Sequence, residues 1–262
     1  MIRRGRMKPH SKLYNLIGLL GTAGVLPEEN VTELGMVTER TLRRYRKDAI
    51  LDVVPTPPLV AEKLAPARLW TLGAVGLQLA KMQFDLVPTG YLESKIDNIS
   101  HDVLCNCIYM AIHSATKNSE FTAILKSRYE VSLTDFRETQ ILQPDAMITL
   151  KGNGKLSHFL VEYHNENYGS RAAKKVEKYE HVRQKAEWEE QWHVPRFPPI
   201  LVVMAHKAVW KGYKEEIEER SRSVRCNYLV KSLDDILTDN DDAFLWYDMS
   251  QDKMVRLEDF MY

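Results

Sequence analysis

Between Gln143 and Glu166 the chain reads QPDAMITLKGNGKLSHFLVEYHNE: two apolar runs joined by a Gly/Asn/Lys turn, with Pro-Asp opening one and Glu-Tyr-His closing the other. Apolar runs of that length around such a turn predict an antiparallel hairpin over DAMITL and HFLVEY, built for burial in a sheet. Ionisable groups then stand where such a hairpin least needs them. Pairing across the turn brings Asp145 and Glu162 to one edge of the sheet, and period-two alternation puts Glu162 and His164 on one face with Tyr163 on the other. A chain that folds around this hairpin needs helices or strands to cover it, which points to an α/β architecture.

The flanking pattern supplies them. HDVLCNCIYMAIHSA predicts a helix with Val103, Leu104, Cys107, Ile108, Ala111 and Ile112 inward, and RYEVSL predicts a strand before the hairpin. After the hairpin come a charged helix from about Ser170 to Trp192, a buried strand in PPILVVMAH, a helix over about 208–222, CNYLVK, a short helix at LDDIL, and FLWYDM. This order implies a mixed central sheet over a domain at 96–250.

A separate domain is expected at 8–92. SKLYNLIGLLG gives a helix with Leu13, Leu16, Ile17 and Leu20 on one stripe, ended by Gly21 and Gly24, and Pro27 opens a second that ends near Gly35. Thr38 is a natural N-cap for TERTLRRYRKDA, with Leu42, Tyr45 and Ala49 inward and Arg40, Arg43, Arg44 and Lys47 outward. LDVV, a Pro-rich loop and ARLWTL complete a winged helix-turn-helix pattern. The 14 Lys+Arg against 9 Asp+Glu in residues 1–95 place the basic excess at this end, although the whole chain is neutral with 36 of each. A basic helix face of this kind suits the major groove and phosphates of double-stranded DNA, so the third helix is the expected contact. Periodicity fades from Phe84 to Ser100, which reads as the linker.

Composition removes several classes. The chain has no run of about 18 apolar residues, and MIRRGRMKPHSK lacks the apolar stretch of a secretory signal, so a cytoplasmic location with no membrane partner is expected. Cys105, Cys107 and Cys226 form no CxxC pair and read as reduced core residues. No Walker or dinucleotide glycine pattern appears. Asp239, Asp241 and Asp242 lack the glycine and bidentate Glu of a calcium loop and read as an ordinary loop. The alternating charges of the 170–192 helix read mostly as a solvated face, with Ala173, Val176, Tyr179 and Val182 as its buried side. Trp188 and Trp192, four apart, read as core.

P-D, a turn and E-x-H, followed by a charged helix and preceded by an amphipathic one, resemble the PD-(D/E)XK restriction-endonuclease-like fold. Together with TLRRYRKDA, RLWTLGAVGLQL, SHDVLCN and KKVEKYEH, the chain resembles, over Lys12 to His206, the replication-relaxation proteins of plasmids and other mobile elements. That family joins a winged helix to a nuclease-like domain. The resemblance implies a double-stranded DNA partner, replication or relaxase proteins beside it, and a homodimer as one expected assembly. It also implies Asp145 and Glu162 as ligands for Mg²⁺ or Mn²⁺ if the site is active, since hard divalent cations take oxygen ligands and activate water. His164 stands where the family has a lysine that stabilises charge on phosphate. Either His164 assists, or the following helix supplies the cation through Lys174, Lys175 or Lys178, or hydrolysis is lost and a polar scaffold remains. His101, Asp102 and Asn106 match the family's His-Asp segment and are expected as outer residues of the site or as helix caps. Three functions stay open: a non-cleaving DNA-binding protein acting in replication or mobilisation, a metal-dependent endonuclease with E-x-H in place of E-x-K, and a transcription regulator.

Overall fold

In the computed structural model, which describes residues 7–84, 95–117, 119–220, 223–238 and 242–262, the hairpin forms where the pattern places it. Strands β7 (Ala146–Gly152) and β8 (Lys155–His164) pair from Ala146↔Val161 to Gly152↔Lys155, leaving a two-residue turn. Asn153 and Gly154 both have positive φ, 53° and 73°, as the mirror-image turn that matches strand twist requires. The chain packs as two compact units, Met1–Asn106 and Cys107–Tyr262.

In the first unit, α1 (Lys12–Ala23) is capped by Ser11 and stopped by Gly24 at φ 76°, while Gly21 stays inside the helix. Next come β1 (Val25–Pro27), α2 (Glu28–Leu34), α3 (Glu39–Lys47), β2 (Leu51–Val54), α4 (Pro58–Leu64), β3 (Leu69–Leu72) and α5 (Ala74–Phe84). The strands form an antiparallel sheet in the order β1-β3-β2. The Pro-rich segment differs from the expected loop: Pro58 takes the first turn of a helix, where its missing N–H costs nothing. Ala49, expected inside the α3 stripe, is exposed with φ 53° just past the helix end. Ile50 turns inward in its place, its N–H donating to the Tyr45 carbonyl at 2.9 Å. Gly76 lets α5 start tightly against that turn, since a Cβ there would stand 2.1 Å from the Ile50 carbonyl. Glu28, buried, accepts from the Trp70 indole at 2.7 Å and the Arg68 guanidinium at 3.3 Å.

Helix α6 (Ile96–Thr116) is continuous, and the division between the units falls within it. The second unit holds β4 (Thr122–Ser127), β5 (Leu133–Thr134), β6 (Gln140–Leu142), the hairpin, α7 (Ser170–Arg183), α8 (Glu187–Trp192), β9 (Ile200–Met204), α9 (Lys207–Glu219), β10 (Tyr228–Ser232), α10 (Leu233–Thr238), β11 (Leu245–Asp248) and β12 (Lys253–Arg256). Its seven-stranded sheet runs β12-β11-β10-β9-β8-β7-β4, with β8, β9 and β10 parallel and the other pairs antiparallel. The fold is therefore mixed α/β, as expected. Four elements differ from the sequence reading. The strand expected at 128–133 lies earlier, at β4; the 170–192 helix breaks between α7 and α8; β5 and β6 form a small separate hairpin; and β12 continues the sheet past residue 250.

Central strand β9 is buried throughout, which is why five consecutive apolar residues occupy it. Helices α7 and α9 cover one face, with Leu160, Val202 and Val230 packed against Val176, Tyr179 and Tyr213. Trp188 and Trp192 belong to this core, the Trp192 indole donating to the Val131 carbonyl at 3.0 Å. Gly169, which caps α7, meets Gly212 of α9 so closely that a Cβ on Gly212 would stand 2.6 Å from the Gly169 carbonyl. That contact fixes where the first turns of α7 reach the sheet. Of the linker expected from Phe84 to Ser100, residues 85–94 lie outside the described residues, whereas Phe84 ends α5 and Ile96 to Ser100 already belong to α6. Asp239 and Asp241 of the expected loop also lie outside the described residues; Asp242 accepts from the Arg256 guanidinium at 3.2 Å.

Candidate functional site

Asp145 stands one residue before β7, where its N–H donates to the Val161 carbonyl at 2.9 Å and its Oδ2 accepts from the Tyr163 N–H at 2.9 Å. It therefore clamps the end of β8 from which Glu162 projects. Glu162 is 1% exposed, and both of its oxygens are occupied. Lys175 Nζ donates to Oε1 at 2.7 Å and Oε2 at 2.6 Å, and the Tyr179 hydroxyl donates to Oε1 at 2.5 Å. A lone buried carboxylate would be several kcal/mol unfavourable; here a bidentate ammonium and a hydroxyl offset that cost.

The charges respond to this arrangement. Burial pushes the Glu162 carboxyl up, against the pull of Lys175, and the nearby Asp145 charge pushes the same way as burial. Burial works against the Lys175 ammonium, but the Glu162 and Asp145 carboxylates outweigh it and hold its pKa above the ordinary lysine value. Lys175 is thus a fixed cation, not a base. Burial, followed by the Glu162 charge, raises Tyr179 well above an ordinary tyrosine, so its hydroxyl stays a donor. Lys178 is lowered by partial desolvation and by the neighbouring Lys175 charge.

His164 is engaged on both ring nitrogens. Nδ1 lies 2.8 Å from Glu166 Oε1, to which it donates because a carboxylate only accepts, and Nε2 lies 3.0 Å from the Tyr213 hydroxyl. At 3% exposed, it is a strut between β8 and α9 and not a poised base. Although burial opposes it, the hydrogen bond and charge of His164 bring Glu166 below the usual carboxylate range, with Arg171 assisting at 3.7 Å.

The residues picked out by sequence therefore separate into groups. Asp145, Glu162 and His164 meet at one end of β8. The lysine that joins them is Lys175; Lys174 and Lys178 are exposed on α7. Of the expected inward side, Val176, Tyr179 and Val182 are buried, while Ala173 is only partly covered and Ala172 is buried beside it. Lys175 lies three after Ala172 and four before Tyr179, on their face. His101, Asp102 and Asn106 belong to the first unit. Asn106 spends its amide there, donating to the Ala23 carbonyl at 2.8 Å and the Val25 carbonyl at 2.9 Å, and His101 Nδ1 lies 3.5 Å from Asp102 Oδ1.

The residues present do not fit a divalent cation as they stand, because the Lys175 ammonium already faces both Glu162 oxygens. On α3, Arg40, Arg43, Arg44 and Lys47 are all exposed, and so is Arg46, which the sequence pattern alone did not single out. Arg43 pairs with Glu39 at 2.8 Å, Arg46 approaches Asp52 at 3.5 Å, and the Arg44 guanidinium lies 5.1 Å from the Tyr45 ring centre. Only Leu42 of this helix is buried.

No family model matches the chain, and no curated protein matches it. Among solved structures it is similar to two of the restriction endonuclease FokI, the second bound to DNA, at 14% identity with TM-scores of 0.36 and 0.32. The superpositions cover 88% of this chain and 43% and 44% of that one, so the chain spans less than half of that endonuclease. A likeness of this order carries no weight for chemistry. Among the described residues, no helix is long and apolar enough to cross a membrane.

Proposed function

We propose that the chain binds double-stranded DNA through α3 and acts in replication or mobilisation of a plasmid, phage or integrated element, its second unit serving as a non-cleaving nuclease-like scaffold. The observation that carries this reading is the face of α3. Burying Leu42 contributes about 2 kcal/mol to folding, while five exposed cations on nine residues contribute little to it and suit phosphate. The order α1-β1-α2-α3-β2-α4-β3 with sheet order β1-β3-β2 supports the winged-helix reading, α4 standing where a wing has a loop. In that arrangement the third helix enters the major groove. Reversing Arg40 and Arg44 to Glu is expected to weaken duplex binding at least tenfold at low salt and to flatten the log–log salt dependence by about 0.9 for each phosphate no longer neutralised. Unchanged affinity and slope, measured by fluorescence anisotropy across a salt series, would overturn the assignment.

One observation favours a second reading, that of a metal-dependent endonuclease: Asp145, Glu162 and a lysine converge at one end of the hairpin. Cleavage would require Lys175 to leave Glu162. In a plasmid-nicking assay with Mg²⁺ or Mn²⁺, the scaffold reading expects supercoiled DNA to persist with the wild type. Nicking by the wild type that disappears in Asp145→Ala would replace it with the endonuclease reading.

A further inference from the structure

Beside the carboxylate–lysine cluster, across the first turn of α9, the carboxyl ends of β9 and β10 open into a cleft of about 730 Å³. Its floor is apolar, formed by Met204, Val230 and Leu245, with Met254 at the side. Its wall is a pair of rings, Trp210 and Tyr247, 5.0 Å apart and inclined by 31°. Both rings are only partly covered, whereas the tryptophans on the core side of α8 are buried. Asp234 and Asp235, at the start of α10, and Lys207, at the start of α9, are exposed and line the cleft.

This combination has a specific chemistry. A flat, partly solvated aromatic wall over an apolar floor holds a planar ring by stacking, and such stacking tolerates any heterocycle with a π-face. Carboxylates at the rim only accept hydrogen bonds, so they select rings that carry amino or imino N–H groups. The exposed Lys207 ammonium suits a phosphate attached to the ring. Apolar ring, N–H donors and phosphate together describe a nucleotide. The volume lies in the range of small-molecule sites.

Position strengthens the case. Met204 of the floor pairs in register with His164, the Ala205 N–H donates to the His164 carbonyl at 2.9 Å, and Trp210 lies three residues before Tyr213, whose hydroxyl meets His164. The cleft and the Asp145–Glu162–Lys175 cluster are thus on the same face of the sheet, at the ends of adjacent strands about 4.8 Å apart.

We infer that this cleft is a binding site for a single nucleobase, presented as a nucleotide of the DNA strand that the protein contacts. The strand origin rests on the DNA-binding reading above; the recognition of a base does not. The test titrates the full chain with the four deoxynucleoside monophosphates, with 2-deoxyribose 5-phosphate and with indole, followed by calorimetry. Saturable binding of at least one nucleotide at millimolar concentration or below is expected. It should weaken about tenfold or more in Trp210→Ala. Tyr247→Leu, which keeps an apolar side chain while removing the second ring, serves as the companion variant should Trp210→Ala misfold, with a loss in the same direction. No saturable nucleotide binding, equally tight binding of the sugar phosphate, or equally tight binding of indole would each overturn the inference. These titrations do not involve α3, so a failure of duplex binding in the Arg40 and Arg44 variants leaves them interpretable.

Discussion

Replacing Lys175 by methionine is expected to destabilise the second unit by about 3–5 kcal/mol, because it leaves the Glu162 charge buried without its cation. An exposed lysine–carboxylate pair would be worth under about 1 kcal/mol; the difference arises because Glu162 is 1% exposed and Lys175 bridges both of its oxygens. In a unit of this size such a loss lowers the melting temperature by on the order of 10 °C. The pH dependence carries the signature. Burial holds the folded-state pKa of Glu162 above its unfolded value, so between the two the folded state retains a proton that the unfolded state gives up, and stability falls as pH rises through that window. Without Lys175 the window widens. The variant should approach wild type in acid, where Glu162 is protonated, and fall furthest behind at neutral pH. The raised Lys175 pKa acts elsewhere: its contribution is present below the ordinary lysine value and is lost as pH rises through the folded value. Urea midpoints of the two proteins in acid and at neutral pH check this, and equal destabilisation at both would show that Glu162 is not the group left unpaired. Adding Glu162→Gln to Lys175→Met should recover much of the deficit, since the amide needs no counter-ion.

The second large effect is expected at Glu180. This buried carboxylate of α7 accepts from the backbone N–H groups of Arg225 at 3.0 Å and Cys226 at 2.9 Å, and so fixes the chain as it enters β10. Glu180→Ala leaves two donors without acceptors, at about 1–3 kcal/mol each, for a total of about 3 kcal/mol. Glu180→Gln retains an acceptor oxygen and should lose roughly half as much. Cys226 provides an independent readout. Burial pushes its thiol up, and the Glu180 carboxylate adds to the shift. Removing the carboxylate should therefore speed thiol labelling at mildly alkaline pH, by an increment that disappears in Cys226→Ser. Unchanged labelling together with unchanged urea stability would refute the role.

Most of the hairpin and the α3 region was legible in the sequence, because local chemistry determines them. Asn153-Gly154 meets the φ requirement of its turn, Thr38 caps α3 by accepting from the Thr41 N–H at 3.3 Å, and β9 reads as a continuous apolar run. What stayed hidden depends on where helices dock. The charged face of α7 reads as solvent-facing by alternation alone, yet Lys175 and Glu180 point inward, one to an acid on β8 and the other to bare backbone. Nothing in their local spacing marks the partner. Asn106 shows the same limit: nothing in its local spacing marks the carbonyls of Ala23 and Val25, more than 80 positions away, to which its amide donates. The wing expectation missed α4 because two prolines in a row suggest a loop, although a proline is favoured in the first turn of a helix.

The three groups at the end of β8 are held by two very different amounts of chain. Asp145 and Glu162 are joined through a hairpin whose turn is two residues long, so their meeting costs little loop-closure entropy and involves only neighbouring pairs. Lys175 arrives on a helix that must first fold back over the sheet and seat its glycine cap against α9. Connectivity keeps the acids together, whereas only docking keeps the ammonium on Glu162.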